Sequence, residues 1–185
     1  RFFGRETSRL LVSDGVKADL LIGNNVLAHV PDINDFVGGM AGLLAEGGII
    51  TMEFPHVLQL LEKNQFDTIY HEHFSYLSLM TVQQIFSSHG LGVFNVEELS
   101  THGGSLRIYA CHASDLNERI MSSVDKKILK ETAFGLKDME TYGKLQAQAE
   151  KIKDEFIHLL IDLKKENKTV AAYGAAAKGN TLLNF

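Results

Sequence analysis

The sequence is poor in the residues that build crosslinks, metal cages and membrane spans. Cys111 is its single cysteine in 185 residues, which excludes an intrachain disulfide and any multi-cysteine zinc site within them. No apolar run reaches the length a bilayer demands, and no charged–apolar–small signal opens the chain. A cytoplasmic setting is the default expectation. No block of one charge stands out either. The net charge of -5 is spread along the chain, so its electrostatics call for neither nucleic acid nor an anionic membrane as partner. A small anionic substrate stays open, because local lysines and helix N-termini bind phosphate whatever the net charge. Repeats and low-complexity tracts are absent too. What remains is an ordinary soluble globular composition, 45% hydrophobic and 22% charged. Residue 1 is Arg, and Leu182 to Phe185 read as a helix barely begun, so both ends are expected to be cut.

Over residues 1–112, short apolar runs alternate with helical stripes, which predicts a layered α/β fold. Ala18-Asp19-Leu20-Leu21-Ile22-Gly23 ends at a glycine, as a buried parallel strand would. Asp32 then caps a helix with Ile33, Phe36, Val37, Met40, Leu43 and Leu44 on one stripe. Gly47-Gly48 is its expected stop, and residues 49–54 read as the next strand before Pro55. Thr81-Val82-Gln83-Gln84 has the form of a capping box, sending Val82, Ile85 and Phe86 to the core until Gly90 ends the helix. Strands are predicted at 91–99 and 106–111. Their short Gly103-Gly104 connection makes them an antiparallel hairpin at the sheet edge.

Residues 113–168 read as a helical connector rich in Lys, Glu and Asp. Leu145, Ile152 and Leu159 recur every seven residues, as do Ala149, Phe156 and Leu163. Such a seam either packs on the domain or serves a partner helix in a coiled coil. From Thr169 the pattern changes again. Residues 170–174 read as a strand feeding the small-residue loop 175–181, which is how a second α/β domain starts.

Four segments carry candidate chemistry. Tyr70-His71-Glu72-His73 packs two imidazoles, a carboxylate and a phenol together, which suits proton transfer near neutral pH. Extended, it would divide His71 and His73 from Tyr70 and Glu72; irregular, it would let all four converge. A zinc-protease helix is excluded, since Ser75 stands where His-Glu-x-x-His needs its second histidine. A His-x-His metal pair and plain structural histidines stay open. Asn24, Asn25 and His29 follow the first strand, where parallel sheets hold their ligands. His102-Gly103-Gly104-Ser105 brings Arg107 near a turn that the glycines alone explain. Gly174 to Thr181 approaches the phosphate loop of nucleotide hydrolases, but Asn180 replaces its lysine, which excludes that activity. Lys178 beside a helix start still suits a diphosphate.

Taken in order, Asn-Asn-Val-Leu-Ala-His at 24–29, Glu-Phe-Pro-His at 53–56, Phe-Asp-Thr-Ile-Tyr-His-Glu-His-Phe-Ser-Tyr at 66–76, His-Gly-Gly-Ser-Leu-Arg at 102–107 and Tyr-Gly-Ala-Ala-Ala-Lys-Gly-Asn-Thr at 173–181 resemble the sugar C-methyltransferases. The likeness runs from about Ala18 to the last residue. It implies S-adenosylmethionine as cofactor and, as substrate, a nucleoside-diphosphate 4-keto-deoxy sugar methylated at carbon 3. Members have an N-terminal zinc module, a central Rossmann-like methyltransferase domain and a C-terminal Rossmann-like domain. On that plan residues 1–112 are the second half of a class I methyltransferase sheet, and 169–185 open the last domain. The glycine-rich cofactor loop has no counterpart before Ala18, so the piece alone is expected to be inactive.

The resemblance further implies His73 as the base that forms a substrate enolate, with Tyr70 and Glu72 orienting the sugar and His29 closing the site. It sets Asn24 and Asn25 at the cofactor's edge, and Lys178, Asn180 and Thr181 at the nucleotide diphosphate. No metal is implied. A half sheet would show a bare strand edge, for which a second copy of the chain is a candidate cover. Two other readings stay open: an oxygen or nitrogen methyltransferase of the same class, and a sugar-nucleotide-binding module without catalysis.

Overall fold

The computed structural model describes residues 1–116, 120–174 and 177–185. Its first helix, α1 (Arg5–Ser13), lies on α2 (Ile33–Leu43), with Phe3 edge-on to Phe36 at 5.6 Å between ring centroids. The approach is close: a Cβ on Gly39 would stand 2.6 Å from the Gly4 carbonyl carbon. Between these helices runs β1 (Ala18–Asn24), and Asp32 caps α2 as expected, accepting from the Asp35 N–H at 2.9 Å.

The helix stops sooner than its glycines suggested. Leu43 ends α2, and Leu44, only 1% exposed, turns directly into β2 (Leu44–Pro55). Burial of Leu44 decides the boundary. Gly47, at φ +72°, absorbs the bulge between the Ala18↔Leu44 and Leu20↔Ile49 pairs of the parallel β1–β2 ladder. After α3 (Val57–Glu62), α4 spans Leu79–Ser88. Its cap is Ser78, whose Oγ accepts from the Thr81 N–H at 3.1 Å, so the expected box at Thr81 sits one turn inside the helix. Leu79 is fully buried and needs the helix to begin there.

The hairpin forms as expected from β3 (Leu91–Leu99) and β4 (Ser105–His112). His102, Gly103 and Gly104 take φ of 52°, 84° and 131° in succession to reverse the chain. The described residues form a four-stranded mixed sheet in the order β1-β2-β4-β3, with β4 antiparallel to both neighbours. Ile50, Met52, Phe54, Phe86, Leu106 and Ile108 fill the core beneath it. At the other edge β1 pairs only with β2 among the described residues, and Leu20 and Ile22 are 53% and 65% exposed.

The connector holds α5 (Ser122–Phe134), which packs on β3 and α4, and the long α6 (Met139–Lys165). The seam of α6 meets the domain at buried Ala149, while Leu159 is 54% exposed. Residues 170–174, expected as a strand, are not one. No described strand lies beside them to complete a ladder, and Val170 and Tyr173 stand open to solvent. Residues 175 and 176 of the expected loop fall outside the described residues. The chain resumes in α7 (Ala177–Asn184), which folds back so that Phe185 meets Phe66 at 5.1 Å.

Candidate active site

The site grows from the carboxyl ends of the parallel pair. Past β1, Asn25 takes φ +55° with its N–H on the Glu53 carbonyl at 2.8 Å, and a short turn follows at Leu27–His29. Leu27 and Ala28 are buried, which anchors that turn. The Ala28 carbonyl accepts from the N–H groups of Phe74 and Ser75 at 2.9 and 3.2 Å. Two distant segments are thereby tied together.

The 70–76 segment is irregular and brings Tyr70, His73 and Tyr76 to one pocket, but not all four of residues 70–73 as an irregular course was expected to. The His73 N–H donates to the Tyr70 carbonyl at 3.1 Å, stacking the two rings at 4.5 Å and 29°. His29 meets His73 edge-on at 4.8 Å, and Tyr76 does so at 5.9 Å. Nδ1 of His73 donates to the Thr68 carbonyl at 2.8 Å, and Nδ1 of His29 donates to the Glu72 carbonyl at 2.9 Å. In the neutral His73 ring the Thr68 bond fixes the tautomer and leaves Nε2 with its lone pair.

Burial pushes the His73 imidazole below the ordinary histidine range. The Thr68 carbonyl and Glu72 oppose that shift, while proximity to His29 and Lys178 adds to it. Burial raises the Tyr70 phenol, helped by Glu72 and Asp67. A neutral imidazole therefore stacks on a protonated phenol. Glu72 itself is exposed, acting on His29 through its backbone and on His73 through its charge. His71 points outward.

The remaining expected residues divide. Lys178 lines the same pocket as Asn25, Tyr70, His73 and His102. Asn180 is exposed and bonded to Asn184 within α7, and the Thr181 hydroxyl donates to the Ala177 carbonyl at 3.2 Å beside a different groove. Asn24 opens onto an apolar cleft with Phe3, Phe36 and Met52, on the other side of the strand end.

Three features escaped the sequence reading. Glu53 is buried and accepts from the Thr101 hydroxyl at 2.8 Å and Arg107 Nη2 at 2.9 Å. The Thr101 bond is the largest cause of its lowered pKa, with burial opposing and Arg107 reinforcing. His56 lines the pocket, and its Nε2 donates to buried Glu131 at 2.8 Å. Both Glu53 and His56 sit at a strand's carboxyl end, a signal that was available. For Glu131 the signal was its helical spacing from buried Val124 and Lys127. Among the described residues no group of three or more His, Cys, Asp or Glu side chains is disposed to hold a metal, and no helix is long and apolar enough to cross a membrane.

Sheet and site together define an α/β, Rossmann-like fragment with a histidine-centred pocket at its strand ends. Residues 100–185 match the C-methyltransferase C-terminal domain. C-methyltransferase NovU of Streptomyces niveus is 38% identical over 166 residues, which cover 90% of this chain and 39% of NovU. Both matches are to C-methyltransferases, and the chain spans about two fifths of the length of that curated relative. Among solved structures, magnesium protoporphyrin IX methyltransferase (ChlM) from Synechocystis PCC 6803 with bound SAH is 19% identical, covering 52% of this chain and 45% of that one at a TM-score of 0.40. The M1.HpyAVI-SAM complex is 9% identical, covering 62% and 54% at 0.38. Likenesses at that level assign no substrate and no residue.

Proposed function

We propose that this chain carries the base-bearing side of an S-adenosylmethionine-dependent C-methyltransferase, acting at carbon 3 of a nucleoside-diphosphate 4-keto-deoxy sugar. The observation that carries the reading is His73. Its Nδ1–H is held by the Thr68 carbonyl, its ring is neutral, and its Nε2 lone pair is left for a substrate proton. Carbon 3 beside a ketone is acidic because the carbanion delocalises onto oxygen. His73 takes that proton, and Glu72 favours the imidazolium that results. The Tyr70 phenol, kept protonated, donates toward the ketone oxygen as charge builds there. His29, edge-on to His73, closes the pocket on the side of the Leu27–His29 turn. Lys178 is the side chain of the α7 group that reaches this pocket, and it meets the charge of the substrate.

The residues present fit one flank of a cofactor site. Asn24 lies at an apolar cleft lined by Phe3, Phe36 and Met52, which suits the edge of a nucleoside. S-adenosylmethionine bound there supplies an electrophilic methyl group. Asn25 belongs to the other wall.

The test is deuterium wash-out and labelled-methyl incorporation at carbon 3 of a nucleoside-diphosphate 4-keto-6-deoxy sugar, using the complete protein. His73→Gln is expected to lose both signals by roughly 10²–10⁴-fold with the fold intact. Full activity in that variant removes His73 as base. Methyl appearing on a hydroxyl or amine instead makes the oxygen or nitrogen methyltransferase the better reading, and sugar binding without exchange favours the binding module.

A further inference from the structure

Asn24 and Asn25 are neighbours in sequence and part company in space. Asn24 opens onto the apolar cleft, whereas Asn25 belongs to the wall of the His73 pocket with Ala28, Tyr70 and Lys178. The left-handed turn at Asn25, φ +55°, makes the division, and asparagine is one of the few residues that adopt it readily. Its backbone N–H is satisfied by the Glu53 carbonyl. Its side chain is not: Oδ1 is buried and meets no donor from the described residues.

A carboxamide oxygen stripped of water and left unpaired is destabilising, and folded proteins rarely tolerate one without a reason. In a pocket wall the reason is a ligand that brings the donor. A thioether or an ionised phosphate oxygen brings no hydrogen; a nucleobase N–H does, but beside His73 the reading above places the sugar and not the base. A hydroxyl brings one. An ammonium does too, but Lys178 already brings one cation into this pocket, and a second would be repelled.

We propose that Asn25 is a specificity residue for the sugar, its Oδ1 accepting a hydrogen bond from a ring hydroxyl of the substrate held against His73. The assignment rests on the keto-sugar reading above and gives it a requirement: the substrate keeps a hydroxyl at the position Asn25 meets. A site built around such a bond rejects the deoxygenated analogue, because the buried acceptor is then left bare.

The experiment is calorimetric binding to the complete protein of nucleoside-diphosphate 4-keto-6-deoxy hexoses from which the hydroxyls at carbons 2 and 3 are removed one at a time. Wild type is expected to lose roughly 10–100-fold in affinity when one of the two is removed. Asn25→Asp keeps both an acceptor and a residue at ease with positive φ, and is expected to keep that preference. Asn25→Gly keeps the backbone, removes the acceptor, and is expected to bind the analogues within about 3-fold of one another. S-adenosylmethionine affinity should be equal in all three proteins. An undiminished preference in Asn25→Gly overturns the assignment, as does a loss confined to S-adenosylmethionine binding, which returns Asn25 to the cofactor. Turnover is a separate readout. Absence of methyl transfer with the hydroxyl preference intact counts against C-methylation and leaves the role of Asn25 standing.

Discussion

His56 and Glu131 meet at 2.8 Å with 1% and 0% of their side-chain surfaces exposed. Glu131 also accepts from the N–H groups of Leu79 and Met80, at 2.6 and 2.9 Å. One carboxylate on α5 thus holds a pocket histidine and caps the first turn of α4, joining the connector to the sheet domain. Carboxylates at helix N-termini are favoured by the exposed N–H groups and the helix dipole.

Removing Glu131 should therefore cost far more than an ordinary helix substitution. Glu131→Ala leaves three donors without an acceptor, those of His56 and Leu79 buried, and is expected to destabilise the fold by about 3–5 kcal/mol. Glu131→Gln keeps an acceptor and should cost less. Urea unfolding followed by far-UV circular dichroism measures both, and a loss under about 1 kcal/mol for the alanine variant would show that the network relaxes without consequence.

The pH dependence of exchange at carbon 3 should follow His73. Burial lowers its pKa below the ordinary value of 6.5, and the base works deprotonated, so the rate should fall only on the acid side of that value. Lys178→Met removes a charge that lowers the pKa, and the acid limb should move to higher pH. Glu72→Gln removes a charge that raises it, and the limb should move to lower pH. Opposite displacements in the two profiles are the signature. Displacement in the same direction would separate the titrating group from His73.

The hairpin turn offers a test of backbone geometry. Gly104 sits at φ 131° with its carbonyl on the His56 N–H at 3.0 Å, and a Cβ there would come 2.7 Å from Gln59 Cγ. Gly104→Ala should destabilise by about 1–3 kcal/mol. Gly47→Ala, where a Cβ meets nothing within 4 Å but φ is +72°, should cost about 1 kcal/mol. Equal thermal shifts in the two would mean that crowding against Gln59 contributes nothing.

These features explain what could be read from the sequence. The strands at 18–24 and 91–99 and the Gly103-Gly104 hairpin were legible because strand period and turn chemistry are local. The start of α4 was misplaced by one turn because its second cap is Glu131, 52 residues from Leu79. The strand expected at 170–174 has the right residues and no strand beside it among the described residues. At the site, an irregular segment was expected to let Tyr70, His71, Glu72 and His73 converge; Tyr70 and His73 line the pocket while His71 and Glu72 stay exposed, and the tie of Phe74 and Ser75 to Ala28 brings His29 beside His73. The different fates of Asn24 and Asn25 turn on one positive φ, which sequence pattern does not reveal.

Acid stability should report on Glu53. Its carboxyl is buried at the end of β2, held by the Thr101 hydroxyl and by Arg107, and its pKa lies below the ordinary glutamate value of 4.5. A group with a lowered folded pKa contributes stability that is fully present above its unfolded value and lost as pH falls through the folded one. The Glu53 contribution should therefore be complete near neutrality and disappear on acidification below about 4.5. Thr101→Val removes the largest cause of the shift. Its folded pKa should rise toward the unfolded value, so the variant should be less stable than wild type at pH 7 and approach it in acid. Urea midpoints measured across that range decide the matter. A constant difference between the two proteins at every pH would mean that Thr101 stabilises the turn by packing and not through the Glu53 charge.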